Sequence, residues 1–373
     1  MKLYGQKFLV PARDVKISNP AKWPWKPAHP EWLKDLSIFD GKHSFLIHKV
    51  KRGTRFTLLI GRNTIQTGLL IEALKRRGAS FVAIDWDEFI YEGKLSCPLK
   101  AGAKKILSFR GKFIDLSHVK KVFYTEPMTL EALTHDSYKF NSAQILFLNR
   151  WAEVLRNLYS LTPKALWYPA MPRHLQRGAQ RKIAEIMTAQ RMSLLVPETL
   201  LTMNAMEARK FVKKHKGHVI FRDFGPRVVT EKGKTKVFKV DFVNPKARDW
   251  KFIAETPCVF QQFIKKDFDV RTVVIGKKVL TCRIDSQKNS KTKMDWRRYD
   301  TGDVPYKIHK LPADVNRKLL KMAGLSGLKF ASFDLVAHKG KYYFLEMNRP
   351  GAWFFVEALS GLPISETLAK ELS

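Results

Sequence analysis

The sequence predicts an α/β unit toward the amino-terminal side, followed by a larger α+β region built on antiparallel sheets. Three observations carry this reading. Residues 56–85 run FTLLIG, IQTGLLIEALKRRG, SFVAID, the strand–helix–strand order of a βαβ unit. Farther along, CVFQQFIKKDFDVRTVVIGKKVLTCRIDSQ supplies three strands with no helix between them. Toward the carboxyl end, FASFDLVAHKGKYYFLEMNRPG, residues 330–351, sets two apolar runs about a Lys-Gly turn, which is a hairpin pattern.

The remaining elements follow in chain order. In residues 1–54, Trp23, Trp25 and Trp32 alternate with Pro20, Pro24, Pro27 and Pro30. Side chains of that size must pack somewhere, so an extended arm lying on the body is expected. A basic aromatic arm that stacks on single-stranded nucleic acid is the alternative. The loop of the βαβ unit, GRNTIQTG, matches neither GxGxxG nor a Walker A motif. Strand-like segments at 105–109, 112–116 and 120–124 complete a first domain, 55–130. A helix over 140–159, carrying Ile145, Trp151 and Leu155, sits in a helical connection, 131–174. Helices at 175–191 and 205–214 frame a short strand in VPETLLTM and lead to HVIFRDFG. In GPRVVTEKGKTKVFKVD two β-rich runs flank a basic turn that suits phosphate or is simply exposed. A loop holding Arg297 and Arg298, a polar helix over 312–324, the 330–351 hairpin and a helix from about 364 complete the chain. The region 175–373 divides into a central part, about 190–260, and a carboxyl-terminal part, about 261–373.

A length of 373 residues suits two or three domains with a substantial core. No apolar run reaches the roughly 18–20 residues a membrane span needs, and MKLYGQKFLVPARD contains no signal-peptide core. Cys97, Cys258 and Cys282 are odd in number and lack CxxC spacing, which predicts a reducing cytoplasm and no zinc site. The 68 Lys and Arg against 34 Asp and Glu leave a net charge of +34, and such a field favours an anionic partner. The excess is uneven. Residues 1–53 hold 11 basic against 4 acidic side chains, whereas residues 331–373 hold 4 against 5.

That last stretch carries the candidate chemistry. Glu346 and Asn348 lie two apart on a strand and so share a face, with Asp334 on the neighbouring strand. Two carboxylates and an amide oxygen are hard ligands of the kind that hold magnesium on a nucleotide; a solvated hairpin with ordinary acids is the alternative. Phe330, Phe333, Leu335, Phe344 and Leu345 make both strands apolar enough to bury, and buried acids need partners, cations or metals. A simple two-residue loop at Lys339-Gly340 would pair Phe333 with Glu346 and put the two acids on opposite faces. An odd-length loop or a bulge is therefore predicted. Asp269 and Arg271 share strand parity, as do Arg283 and Asp285. Each arginine is a candidate fork for phosphate or carboxylate, or half of a partly buried ion pair.

The order VFQQFIKKDFDVR, RIDSQ, DWRR, FDLV and FLEMNRPGAW…GLPI resembles the ATP-grasp ligases, and within them the microviridin-type peptide maturases, also called graspetide synthetases. The likeness covers 175–373 and extends more faintly over 56–130, where that family has its pre-ATP-grasp domain. It implies ATP and two magnesium ions held between two α+β subdomains. Lys182 matches a helix lysine that contacts phosphate. Gln262, Phe263 and Ile264 match the adenine-reading hinge. Asp334, Glu346 and Asn348 match the magnesium ligands, and Arg271 and Arg283 match arginines near the reacting groups. Asp269 and Arg222 fall to the nucleotide side and Arg297 to the catalytic side, with Asp285 and Asp295 as general-base candidates by nearness to the arginines. The implied reaction activates a carboxylate as an acyl phosphate, which an amine or hydroxyl then attacks. It needs cations that neutralise both reactants. The sequence departs from the family at Arg222, where a lysine is usual, at NRPGAW, where the proline has moved one place, and at FYTEP. The implied substrate is an acidic ribosomal precursor peptide, which the basic surface would attract. A ligase acting on a protein tail or small carboxylate, and a non-catalytic relative binding nucleic acid or a partner, stay open. No RNP, KH or helix-turn-helix signature supports nucleic acid, and the oligomeric state is likewise open.

Overall fold

The computed structural model describes residues 45–61, 65–85, 89, 93–100, 102–109, 111–124, 142–170, 182–222, 228–231, 234–237, 241–244, 248–290, 292–296, 304–349 and 351–373. Most of the expected arm, the first turns of the expected 175–191 helix, and Arg297 and Arg298 lie outside the described residues.

The first sheet is built by β1 (Phe45–His48), β2 (Phe56–Gly61), helix α1 (Ile65–Arg76) and β3 (Phe81–Asp85). Next comes a small antiparallel sheet of β4 (Lys94–Ser96), β5 (Ile106–Phe109) and β6 (Lys112–Asp115). Then β7 (Val119–Tyr124), helix α2 (Ser142–Arg156) and β8 (Leu166–Tyr168) return to the first sheet, whose order is β1-β3-β2-β7-β8. β2, β3, β7 and β8 run parallel, and β2 is buried at every position, as a strand covered on both faces requires. β1 pairs antiparallel with β3. Part of the stretch assigned to an arm is therefore an edge strand of this sheet, which the short run FLIH did not reveal.

Helix α3 (Lys182–Arg191) leads into β9 (Thr199–Thr202), helix α4 (Ala205–Lys214), β10 (Val219–Phe221), the hairpin β11 (Val228–Glu231) and β12 (Lys234–Val237), β13 (Asp241–Phe242) and β14 (Cys258–Gln262). These strands form an antiparallel sheet of order β13-β10-β14-β9, with β11-β12 as a separate two-stranded sheet. Asn204 caps α4 by accepting from the N–H groups of Met206 and Glu207. The inward face of α4, Ala208, Phe211 and Val212, packs with Val219, Trp250 and Phe260.

The largest antiparallel sheet contains β15 (Phe268–Ile275), β16 (Lys278–Ile284), β17 (Tyr306–His309), β18 (Phe330–His338) and β19 (Lys341–Asn348), in the order β17-β16-β15-β18-β19. Helix α5 (Ala313–Leu325) precedes β18, and α6 (Phe354–Ser360) and α7 (Ile364–Leu372) follow β19. The sheet is covered on both sides. Val270, Val274, Phe333, Leu335 and Phe344 enter one core. Val273, Ile275, Cys282 and Phe330 enter a second, shared with Leu59 and Phe123 of the first sheet, Leu70 of α1, and α6 and α7.

The β18–β19 turn is the two-residue kind. His338 pairs with Lys341, and Lys339 and Gly340 take φ of 48° and 74°, the all-positive pattern that matches strand twist. Gly340 has open space around it, so only backbone strain opposes a side chain there. Gly340→Val is expected to cost about 1–2 kcal/mol, read as a shift in the urea unfolding midpoint.

Between α6 and α7 a buried carboxylate acts as a hydrogen-bond acceptor. Glu357 takes the Ser365 N–H at 2.8 Å and the Ser365 hydroxyl at 2.5 Å. Burial pushes its carboxyl up from an ordinary 4.5 to about 7, against the opposing pull of the Ser365 hydrogen bonds. The folded state therefore keeps a proton that the unfolded chain has lost between these values. The contribution is fully present below pH 4.5 and is lost as pH rises through about 7. Relative to Glu357→Gln, the native protein should lose about 2–3 kcal/mol of stability between pH 4.5 and 8. A pH-independent difference in unfolding free energy between the two proteins would exclude this.

Candidate functional site

The two-residue turn alone would point Asp334 and Glu346 to opposite faces. The register shifts between Leu335 and Asp334: Leu335 pairs with Phe344, but Asp334 pairs with Glu346, and Ser332 with Asn348. Leu345 is the extra residue of a bulge, a device that re-aims side chains near functional sites. Consequently Phe344 and Met347, three apart, both face the core that holds Phe333 and Leu335, while Glu346 joins Asp334 on the other face. The predicted bulge is present and the alternative odd-length loop is not. The Leu345 carbonyl, diverted from the ladder, accepts from Arg222 Nη2 at 3.3 Å.

Asp334 and Glu346 are 7% exposed each and line an open cleft between the β10–β14 sheet and the β15–β18–β19 face. Each carboxylate meets an arginine. Arg222, directly after β10, donates to Glu346 Oε2 at 3.0 Å and to Gln261 Oε1 at 2.7 Å. Arg271, on β15 opposite Asp334, donates to Asp334 Oδ1 at 2.8 Å and to the Ala352 carbonyl at 2.9 Å. Asn348 Nδ2 donates to Asp334 Oδ2 at 3.1 Å. The donor set of two facing carboxylates and an amide fits magnesium in chemistry, with the arginines balancing the carboxylate charge. Among the described residues no group of three His, Cys, Asp or Glu side chains forms a metal cluster, so nucleotide oxygens would have to complete the shell.

The predicted site residues divide by location. Arg222, Gln262, Phe263, Ile264, Asp269, Asp334 and Glu346 line the one cleft, and Arg271 and Asn348 touch Asp334 beside it. At the hinge, Gln262 N–H donates to the Glu198 carbonyl and Phe263 N–H to the His218 carbonyl, so those two donors are engaged within the protein. Asp269 does not pair with Arg271 despite their parity. Its carboxylate is held by Lys266 at 2.6 Å, and burial pushes its carboxyl up while the Lys266 charge opposes that rise. Arg283 is not brought to this face. Cys282, not Arg283, stands opposite Arg271, so Arg283 projects from the far side of the sheet, over the Phe268 ring and against Asp285 at 2.5 Å. Burial would raise Asp285, but the hydrogen bonds and charges of Arg283 and Lys307 outweigh it and leave the carboxyl low. Lys182 opens α3, outside the cleft lining.

Sequence reasoning passed over Lys266 and Gln261. Lys266 is a 7% exposed lysine in the cleft, donating also to the Met294 carbonyl at 3.2 Å. Gln261 is buried between Arg222 and the Thr199 hydroxyl. The available signal was local: Lys266 follows the FQQFI run and stands three residues before Asp269. Asp295 and Trp296 close the same cleft.

No protein-family model and no curated protein sequence matches the chain. Solved structures do. A Chryseobacterium gregarium RiPP-associated ATP-grasp ligase, in complex with ADP and a leader and core peptide, is 22% identical, with 85% of this chain and 96% of that one aligned at a TM-score of 0.72. The macrocyclase MdnC of Microcystis aeruginosa, bound with precursor peptide MdnA, is 21% identical over 85% and 98% at 0.71. The ATP-grasp ligase PsnB, complexed with a minimal precursor, Mg and ADP, is 17% identical over 85% and 96% at 0.63. At these identities the likeness is one of fold: the chain shares the fold of these ATP-grasp ligases.

Proposed function

We propose that the protein is an ATP-dependent carboxylate ligase that forms ester or amide cross-links in an acidic, ribosomally made precursor peptide. One observation carries the reading: Asp334 and Glu346, re-aligned by a bulge, face each other in a cleft that also gathers Arg222 and Lys266, with Arg271 against Asp334 beside it. The similar structures hold ADP, magnesium and precursor peptides.

In this reading ATP lies between the β9–β14 sheet and the β15–β19 face, with Gln262, Phe263 and Ile264 at the base and Lys182 toward the phosphates. Magnesium, held by Asp334, Glu346 and Asn348, supplies Lewis-acid neutralisation of the phosphate oxygens. Arg271 and Lys266, fixed by Asp334 and Asp269, present fixed positive charge to a substrate carboxylate and the transferring phosphoryl group. Preorganised cations of this kind lower the cost of bringing two anions together. The substrate carboxylate takes the γ-phosphoryl group as ADP leaves, and a threonine, serine or lysine of the peptide then attacks the acyl phosphate, giving up a proton as phosphate departs. Arg283, on the opposite face of the sheet, is assigned a peptide-facing role, and Arg297 keeps its assignment to the catalytic side. The division into a 55–130 domain, a 131–174 connection and a 175–373 catalytic region belongs to the same proposal, as does a cytoplasmic site of action.

The test is direct. The protein is incubated with Mg–ATP and any short acidic peptide encoded beside its gene, and mass spectrometry follows stepwise loss of one water per cross-link. Normal Mg–ATP binding with no mass change in any neighbouring peptide would reject the substrate assignment.

A further inference from the structure

Among the described residues β19 is the last strand of its sheet, so the backbone groups on its outer edge meet no strand among them. Two of its N–H groups are satisfied by other means. Phe344 N–H donates to the Leu195 carbonyl at 2.8 Å. Met347 N–H, on the stretch between Glu346 and Asn348, donates to a side chain, Glu185 Oε2, at 3.3 Å. Glu185 lies on α3, is 6% exposed, and also faces Arg349 Nη2 at 3.6 Å. One buried carboxylate thus holds the residues on either side of Asn348. It sits on a helix whose Ala189 is part of the core reached by Phe344 and Met347. An acid in that position is costly to bury without such partners. Burial pushes the Glu185 carboxyl up and the Arg349 charge pulls it back.

We infer that Glu185 is a positioning residue for the cation-binding strand, fixing the outer edge of the chain between Glu346 and Asn348 just past the bulge at Leu345. The inference rests on the proposed function in assigning that strand to a metal. Groups that orient metal ligands typically change metal affinity or activity by about 10–100-fold when removed.

The experiment uses the full chain with Mn²⁺ as the probe, titrated in the presence of ADP and read by electron paramagnetic resonance, with ADP affinity in EDTA and thermal midpoint measured alongside. Glu185→Ala is expected to weaken Mn²⁺ binding about 10–100-fold, with ADP affinity in EDTA unchanged; in turnover kcat falls while the peptide KM holds. Glu185→Asp, one methylene short of Met347 N–H, is expected to show the same cation defect at a near-native thermal midpoint, and it decides the matter if the alanine variant does not fold. Unchanged Mn²⁺ affinity in a folded Glu185→Asp protein would reduce Glu185 to helix packing and overturn the inference. If the native protein itself takes up no Mn²⁺ with ADP, the metal assignment of the strand fails, and the inference with it.

Discussion

Glu346→Gln should abolish cross-linking while leaving the protein folded. The glutamine keeps the length of the side chain and an oxygen that can accept from Arg222, which is also held by Gln261 and the Leu345 carbonyl. The loss in stability is therefore limited to about 1–3 kcal/mol, the worth of a charge-assisted hydrogen bond. The loss in chemistry is larger. A neutral amide is a weaker ligand for a hard dication, and removing several kcal/mol of charge stabilisation slows turnover by at least about a hundredfold. Asp334→Asn should act similarly, since it faces the same point from the paired strand. The measurements are water loss from the peptide by mass spectrometry and the circular dichroism spectrum. A folded Glu346→Gln protein with near-native turnover would mean that the cation, if any, is held elsewhere.

Much of this site was legible in the sequence because parity on one strand is local information. Glu346 and Asn348 two apart, with Asp334 earlier across a Lys-Gly turn, were enough to demand an odd-length loop or a bulge, since the simple register would turn the two acids to opposite faces. The βαβ unit was equally plain from FTLLIG and SFVAID, whose burial on both faces makes them continuous apolar runs. Relations between strands were not legible. Arg271 and Arg283 carry the same D/R parity on neighbouring strands, but the β15–β16 pairing places Cys282 beside Arg271 and turns Arg283 to the opposite face. Asp269 is partnered by Lys266, three residues away around a strand start, rather than by Arg271 along the strand. Short edge strands such as β1 and β17 were missed because four residues carry too little periodicity. Arg222 was noticed as an exchange for lysine. Its bridge from Glu346 to Gln261 depends on bringing together positions 222, 261 and 346, and no local pattern encodes that.

Arg271→Met should destabilise the protein by about 3–5 kcal/mol, and Asp334→Asn placed on top of it should return part of that loss. The Arg271–Asp334 pair is nearly inaccessible, with side chains 6% and 10% exposed, and removing one member of such a pair leaves a buried charge without compensation. The guanidinium has no alternative seat. Its Nη2 rests on the bare backbone of Gly351, where even a methyl group would stand 2.4 Å from it and 3.0 Å from the Asn348 and Ser332 Cβ atoms. Methionine fills the apolar stem but offers no charge, so Asp334 and Glu346 face each other without the Arg271 charge, Arg222 still meeting Glu346. Neutralising Asp334 removes that repulsion, and groups in direct contact couple by about 0.5–3 kcal/mol. Urea unfolding of the native protein, both single variants and the double variant closes the cycle. A double variant no more stable than Arg271→Met would show that the aspartate does not depend on this arginine. The charge balance of the cleft would then have to come from Arg222 and Lys266, the two cations that line it directly.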